Sequence, residues 1–268
     1  MKSFFRGLTV IWRRELLRFF RERSRTVSAL LLPVLFLILL GNGLKEVVIS
    51  PAPNVDFMDF IFPGVMIMSL FMTAFAAGMS VVWEREFGFL KEMLVAPVSR
   101  VSIALGKILG SATVALIQAV VLILLAPLFG IHFSLLTAVK SLGMLSLTAI
   151  AIAGLGTFIG SKMRSMQGFH VISELLLLPL IFLSGAFFPV DKVPTWLGII
   201  ARLNFVTYSA DGIRQIAFAQ NGIPADSYLR LTSFGRPMSV WMDAGIVAAF
   251  GLLMIFLASR SFSKRGLD

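Results

Sequence analysis

No cysteine occurs in the 268 residues, so disulfides, thiolate metal sites and cysteine nucleophiles are all excluded. Histidine is almost as scarce. His132 and His170 lie in different segments with no acidic residue close by, which argues against a histidine-based metal cluster. Charge of either sign is sparse at 14% of the chain, too little to cover the surface of a soluble domain of this length. The phosphate-loop pattern G-x-x-x-x-G-K-[ST] is also missing, which excludes a nucleotide site of that kind. Gly154-Leu155-Gly156 followed by Gly160-Ser161-Lys162 is glycine-rich but has the wrong spacing. Gly156 with Gly160, and Gly106 with Gly110, instead form small-xxx-small pairs suited to close helix packing in lipid.

What the chain has is apolar sequence, 57% of its residues, with a mean hydropathy of +0.90. Several uninterrupted runs approach the roughly 20 residues that a helix needs to cross a bilayer. The reading is an all-α integral membrane protein with six spans, at about 28–44, 58–82, 102–129, 135–160, 169–188 and 239–259. Pro33 interrupts the first span and Pro127 lies near the end of the third. Lysine and arginine are distributed unevenly among the connections. Seventeen of the 24 fall on the side holding both termini, including Lys2, Arg6, Arg13, Arg14, Arg18, Arg21, Arg23 and Arg25 before the first span. The positive-inside rule places that side, and so both termini, in the cytoplasm. The same clustering against a span reads as attraction to anionic headgroups and argues against nucleic acid as a partner.

Within residues 1–26 the apolar positions Phe4, Phe5, Leu8, Ile11, Trp12, Leu16, Phe19 and Phe20 recur at helical spacing, with arginines between them. This predicts an amphipathic helix in the cytoplasmic interface, aromatic face in the acyl boundary, with Trp12, Arg13, Arg14 and Glu15 at its centre. A second amphipathic pattern follows the second span. Trp83, Phe87, Leu90 and Leu94 fall at i, i+4, i+7 and i+11 on one helical face, and Glu84, Glu86, Lys91 and Glu92 take the others. Gly88 costs helix stability there and fits either a close-approaching surface or a turn. Pro97 ends the pattern. The periodicity alone fits an ordinary interfacial helix equally well.

The wording of the block is more specific than its periodicity. Glu84-Arg85-Glu86-Phe87-Gly88-Phe89-Leu90-Lys91-Glu92-Met93-Leu94-Val95-Ala96-Pro97-Val98-Ser99-Arg100 resembles E-R-E-x-G-T-L-E-x-L-L-V-x-P-V-S-R, the signature of type-2 ATP-binding-cassette exporter permeases. Phe89 replaces the usual threonine and Lys91 the usual acid. Phe182-Leu183-Ser184-Gly185-Ala186-Phe187-Phe188-Pro189 resembles that family's F-L-S-G-x-F-F-P, and Asn204 through Arg214 resembles its N-P-x-T-Y … R segment, with Phe205 where proline is common. The resemblance covers nearly the whole chain and is closest to the drug-exporter and nodulation-type branch. It implies a single transmembrane domain, residues 1–268, made of the interfacial helix (1–26), spans one to five (28–188), an extracytoplasmic segment (189–238) and a sixth span with a cytoplasmic tail (239–268).

The resemblance further implies a membrane subunit without an ATPase site, in the cell membrane of a bacterium or archaeon. Two such permeases would pair with two ATPase subunits that hold ATP and Mg, no cofactor or metal being bound by this chain. The block would dock on the ATPase through Glu84, Arg85, Glu86, Gly88, Leu90 and Leu94, and alternating access would move a hydrophobic, drug-like or antibiotic-like cargo outward. Polysaccharide or lipid-linked glycan export is the alternative within the family. An ion-gradient transporter is the alternative outside it, although no internal repeat is evident and one acid lies well inside a span. That acid, Glu174, is expected to face the bundle interior or a cavity as a pathway residue, or else to reach water or Lys162 at the cytoplasmic end. Ser184 and Gly185 are further pathway candidates. Gln118 is expected to hydrogen-bond between helices, His170 to be interfacial and Asp243 to be hydrated near the outer surface. Pro194-Thr195 starts an apolar stripe through Leu203, which predicts short re-entrant helices in the extracytoplasmic segment.

Overall fold

The computed structural model describes residues 2–42, 56–88, 99–187, 194–220, 232–233 and 236–264. Nearly all are helical: α1 Lys2–Arg21, α2 Arg23–Phe36, α3 Phe57–Glu86, α4 Arg100–Leu125, α5 Leu135–Lys162, α6 Met166–Phe182, α7 Thr195–Leu203, α8 Phe205–Gln220 and α9 Val240–Lys264. A π-helical stretch, Leu37–Asn42, extends α2, and a 3₁₀ turn containing Pro127, Ala126–Phe129, extends α4. Thr232–Ser233 pairs antiparallel with Arg236–Pro237 just before α9.

Four of these helices are long and apolar enough to cross a membrane: α3, α4 with its 3₁₀ extension, α5, and Val240–Phe262 of α9. Where six spans were expected, the other two positions hold shorter apolar helices, Val27–Leu40 and Met166–Phe182. At 1.5 Å per residue these reach about 20–25 Å, short of the roughly 30 Å hydrocarbon layer. The local reasons are visible. Pro33 removes a backbone donor inside α2, which passes into the π stretch four residues later. Helix α6 carries Pro179 and ends where Gly185 turns the chain with φ +72°.

Helix α3 is apolar around most of its circumference and is accordingly the central, almost wholly buried element. It packs against α2, α4, α5, α6 and α8. Its contact with α5 is backbone to backbone. A Cβ on Gly156 would stand 2.5 Å from the carbonyl oxygen of Phe75, and one on Gly160 would collide with that of Gly78. Stacked rings of Phe71, Phe75 and Phe169 carry the same seam onto α6, with centroids 5.2 and 5.4 Å apart. Gln118 does join helices as expected, accepting a hydrogen bond from Thr73 of α3. Helix α9 packs along α5 and α8 and leaves Leu252, Leu253 and Phe256 outward, as a helix facing lipid does.

At the end of the bundle away from α1, the segments carrying the second and third sequence matches converge. Arg214 of α8 donates to the carbonyl oxygens of Gly185 (2.9 Å) and Ala186 (3.4 Å), and its guanidinium lies 3.9 Å over the Phe60 ring. Asn204 donates to Leu180 O at 2.6 Å and accepts from Val206 N at 3.0 Å, so it caps α8 while holding the end of α6. Phe205 occupies the first turn of α8, where proline is well tolerated, and stacks on Phe250 at 4.0 Å. The cap preserves the turn without the proline. Helix α7 starts at Thr195, the start read from sequence, with Trp196, Ile199, Ile200 and Leu203 exposed. Asp243, expected to be hydrated, is instead fully buried, where Gln215 Nε2 donates to it at 2.9 Å and to Asp211 at 2.7 Å.

The α3–α5 seam has no room for side chains. Replacing Gly156 with leucine should destabilise the protein by at least about 1–3 kcal/mol, the usual cost of overpacking. Gly245→Ala adds a methyl where nothing lies within 4 Å and should change little. Thermal melting of detergent-purified variants checks both.

Candidate functional site

The block after α3 begins inside the helix itself. Its first three charged residues, Glu84, Arg85 and Glu86, form the last turn of α3, and each reaches a different neighbour. Glu84 is fully buried. Lys107 of α4, equally buried, brings its ammonium to 2.6 Å from Glu84 Oε2, and Arg14 of α1 lies 3.3 Å from Oε1. The same ammonium donates to Ser80 Oγ at 2.7 Å and to Glu15 Oε1 at 3.4 Å, while Ser80 donates to Glu15 at 3.1 Å. Two acids and two bases thus balance around one serine, joining α1, α3 and α4. A buried ion is costly unless it is paired and hydrogen-bonded, which is why these groups occur together.

The sequence brings them together through glycine. Gly106 and Gly110 present bare backbone to α1. A Cβ on Gly106 would lie 2.8 Å from that of Ile11, and one on Gly110 would lie 2.7 Å from that of Glu15. The small-xxx-small pair therefore serves a helix-to-helix contact, the role read from its spacing. Trp12 closes the contact by donating its indole N–H to Thr113 Oγ1 at 3.1 Å.

Arg85 and Glu86 tie the other helices to the same end. Arg85 donates to Ser161 O (2.9 Å) and Met163 O (2.6 Å), satisfying carbonyls at the C-terminus of α5. Glu86 accepts from Met166 N at 3.1 Å, a carboxylate at the N-terminus of α6, where the helix dipole favours it. One turn of α3 thereby binds the middle of α1 and the near ends of α4, α5 and α6.

Several expectations change on this geometry. Glu84 does not face outward toward a basic partner surface, because Lys107 already takes its charge inside the protein. The helical face drawn from Trp83 to Leu94 is interrupted. Helix α3 ends at Glu86, and Gly88 adopts φ +82° with nothing within 4 Å of where a Cβ would stand, so the chain turns there. Leu90 and Leu94 lie outside the described residues. Helix α1 does not present its aromatic stripe to lipid alone. Ile11 and Phe19 are buried, Trp12 is half-buried, and Phe5 and Phe20 remain exposed. Arg13 points outward, and Arg18 lies 5.1 Å over the Trp83 ring.

Glu174 is on the exposed face of α6 rather than inside this chain's bundle, alongside exposed Val171, Leu175 and Leu178. Ser184 and Gly185 are buried in the turn after α6. Ser184 Oγ donates to Ile181 O and accepts from Ala186 N within the buried turn, and Gly185 gives its carbonyl to Arg214. His170 is exposed. The residues that the sequence reading overlooked are Lys107 and Ser80. Lys107 lies seven residues into an apolar helix, between Gly106 and Gly110. A lone cation in that position is the signal that a buried acid must face it.

Comparison with known proteins bears on the whole chain. The profile of the ABC-2 type transporter family matches residues 6–218. The inner membrane transport permease YadH of Escherichia coli K12 is 25% identical over 261 residues, covering 97% of this chain and 93% of YadH. Nodulation protein J of Rhizobium leguminosarum bv. viciae is 26% identical over 264 residues, 96% of this chain and 93% of that protein. The ycf38 protein of Cyanophora paradoxa, named as a transport permease, is 28% identical over 235 residues, 86% of this chain and 81% of that protein.

Breaking the Glu84–Lys107 pair on one side should cost about 3–5 kcal/mol, because it leaves a buried charge uncompensated. Lys107→Met is therefore expected to lower the melting temperature sharply. Adding Glu84→Met should recover at least half of the loss, measured as a double-mutant cycle on the purified protein.

Proposed function

Because the chain belongs to the ABC-2 type transporter family, we propose that it is the membrane-spanning permease of an ATP-driven exporter, paired with a second copy of itself and with two ATPase subunits. Permeases of this family lack an ATPase site and generally work with an ATPase subunit, so ATP and Mg belong to the partner. The proposed topology has six crossings with both termini cytoplasmic, α2 and α6 completing the four full-length spans. The uneven distribution of lysine and arginine supports that orientation.

One observation carries the mechanism: a single turn of α3, just before segment 89–98, holds the middle of α1 and the near ends of α4, α5 and α6. A push delivered to 89–98 by a hydrolysing partner would reach α3 first. Through Glu84, Arg85 and Glu86 it would be shared with α1, α4, α5 and α6 as one rigid joint. The partner contact is assigned to 89–98, and the three charged residues transmit it. Alternating access then follows from tilting this joint relative to the opposite end, where Arg214 and Asn204 form a separate fastening.

A hydrophobic or amphipathic cargo suits the outward face of α6, where Val171, Leu175, Leu178 and Phe182 surround Glu174 and the polar Gln167 and His170 are confined to the first turns. With two copies facing each other, that carboxylate would lie where cargo passes, and this is the pathway role we assign to it.

Affinity purification of the chain from native membranes in mild detergent should recover an ATPase carrying the phosphate-loop motif. In the reconstituted complex Arg85→Ala should keep the partner bound but reduce transport per ATP hydrolysed by at least about fivefold, the lower range of site-to-site coupling. Recovery of a homo-oligomer without any ATPase, also after crosslinking, would reject the assignment.

A further inference from the structure

Lysine and arginine side chains at the buried positions described above are all accounted for. Lys107 meets two carboxylates, and Arg214 meets carbonyl oxygens and the Phe60 ring. Lys140 is different. It lies in the second turn of α5, a membrane-spanning helix, at the end of the bundle away from α1. It is exposed and has neither an ion-pair nor a hydrogen-bond partner among the described residues. A cation on the lipid-facing side of a span is costly unless it reaches headgroups or finds an anion there.

Beside Lys140 a groove of about 770 Å³ opens between α5, α8 and α9. Its walls are largely apolar, from Met144 and Leu147 of α5, Ile216 of α8, and Val240 and Ala244 of α9. The space is within the roughly 300–1,000 Å³ typical of small-ligand sites. Gly143 forms part of the floor, and a Cβ there would have nothing within 4 Å. Trp241, 86% exposed, stands at the mouth, the residue type that settles at the boundary between acyl chains and headgroups. The rim is held in shape from behind. Gln220 accepts from Ser134 N at 2.7 Å and donates to His132 O, tying the loop before α5 to the end of α8. Among the described residues, the acids nearest the groove, Asp211 and Asp243, are buried and turned to Gln215.

An apolar slot facing the acyl region, whose headgroup end carries one ammonium with no counter-ion among the described residues, matches one class of molecule. We propose that this groove binds an anionic phospholipid, one acyl chain lying along Gly143, Met144 and Leu147 and the phosphate meeting Lys140. The site is independent of the transport reading. It requires only that α5 and α9 cross a membrane, and it lies at the opposite end of the bundle from the Glu84–Lys107 joint. A bound lipid would fill the gap between α5, α8 and α9 and brace the α8 fastening against the bundle.

The test uses the full-length chain, delipidated in detergent and titrated separately with phosphatidylglycerol, phosphatidylcholine and inorganic phosphate. Native mass spectrometry reads retained lipid, and the thermal midpoint reads its effect. Wild type should retain phosphatidylglycerol in preference to phosphatidylcholine and melt higher with it. Lys140→Gln, at an exposed position, should fold normally and bind phosphatidylglycerol roughly fivefold more weakly, about one lysine–headgroup attraction, with phosphatidylcholine unchanged. Gly143→Leu fills open space, so the fold should persist while retention of both lipids falls. Equal phosphatidylglycerol retention by wild type and both variants would overturn the proposal. So would stabilisation of wild type by inorganic phosphate alone to the same degree, because the ligand would then be a free anion.

Discussion

The contact on which the rest of the structure depends is the buried pairing of Glu84 with Lys107. Each group is fully enclosed, and each would be expelled from the bundle without the other. Their pairing fixes the rotation of α3 against α4. Glu15 and Arg14 then complete the charge balance from α1, so a helix that could have floated in the interface is held in one register. A well-packed apolar substitute could stabilise such a junction as well as the ions do. What ions add is geometry, since charge and hydrogen-bond direction admit few alternative arrangements.

Two fastenings at opposite ends follow one design. Near α1, side-chain charges of α3 are spent on neighbouring helices, with Arg85 on the carbonyls that end α5 and Glu86 on the amide that starts α6. At the other end, Arg214 and Asn204 of the α8 region take the carbonyls where α6 ends. Helix α6 is therefore gripped at both termini, and along its length it touches α3 by ring stacking while one side stays open. Between the two ends the bundle is held by glycine-mediated backbone contact along α3 and α5, which resists shear in the middle and leaves changes in tilt to the ends.

Much of this was legible in the chain. The apolar runs gave the long helices α3, α4, α5 and α9 to within a few residues, because a stretch of twenty apolar residues has few other solutions in lipid. The start of α7 at Thr195 and the packing role of Gly106, Gly110, Gly156 and Gly160 were legible for the same reason: local chemistry dictates them. The partners of the charges were not. Glu84 beside Arg85 and Glu86 looks like a solvated cluster when read along the sequence, and only the fold brings Lys107 and Glu15 to it. Asp243 was misjudged in the same way, since its burial depends on Gln215 and Asp211 from α8. Pairings across distant segments leave no periodic trace.

The central claim is that the charged turn of α3 acts as one joint with α1 and α4, and transport per ATP hydrolysed tests it most directly. The variant combines Arg14→Gln, Glu15→Gln and Ser80→Ala and is reconstituted with the proposed partner ATPase. It removes the polar links from α1 to Glu84, Ser80 and Lys107 while leaving the Glu84–Lys107 pair in place. The account predicts an assembled complex whose ratio of transport to hydrolysis falls at least about fivefold. An assembled complex with an unchanged ratio would mean that α1 is no part of the joint, and the account would be wrong.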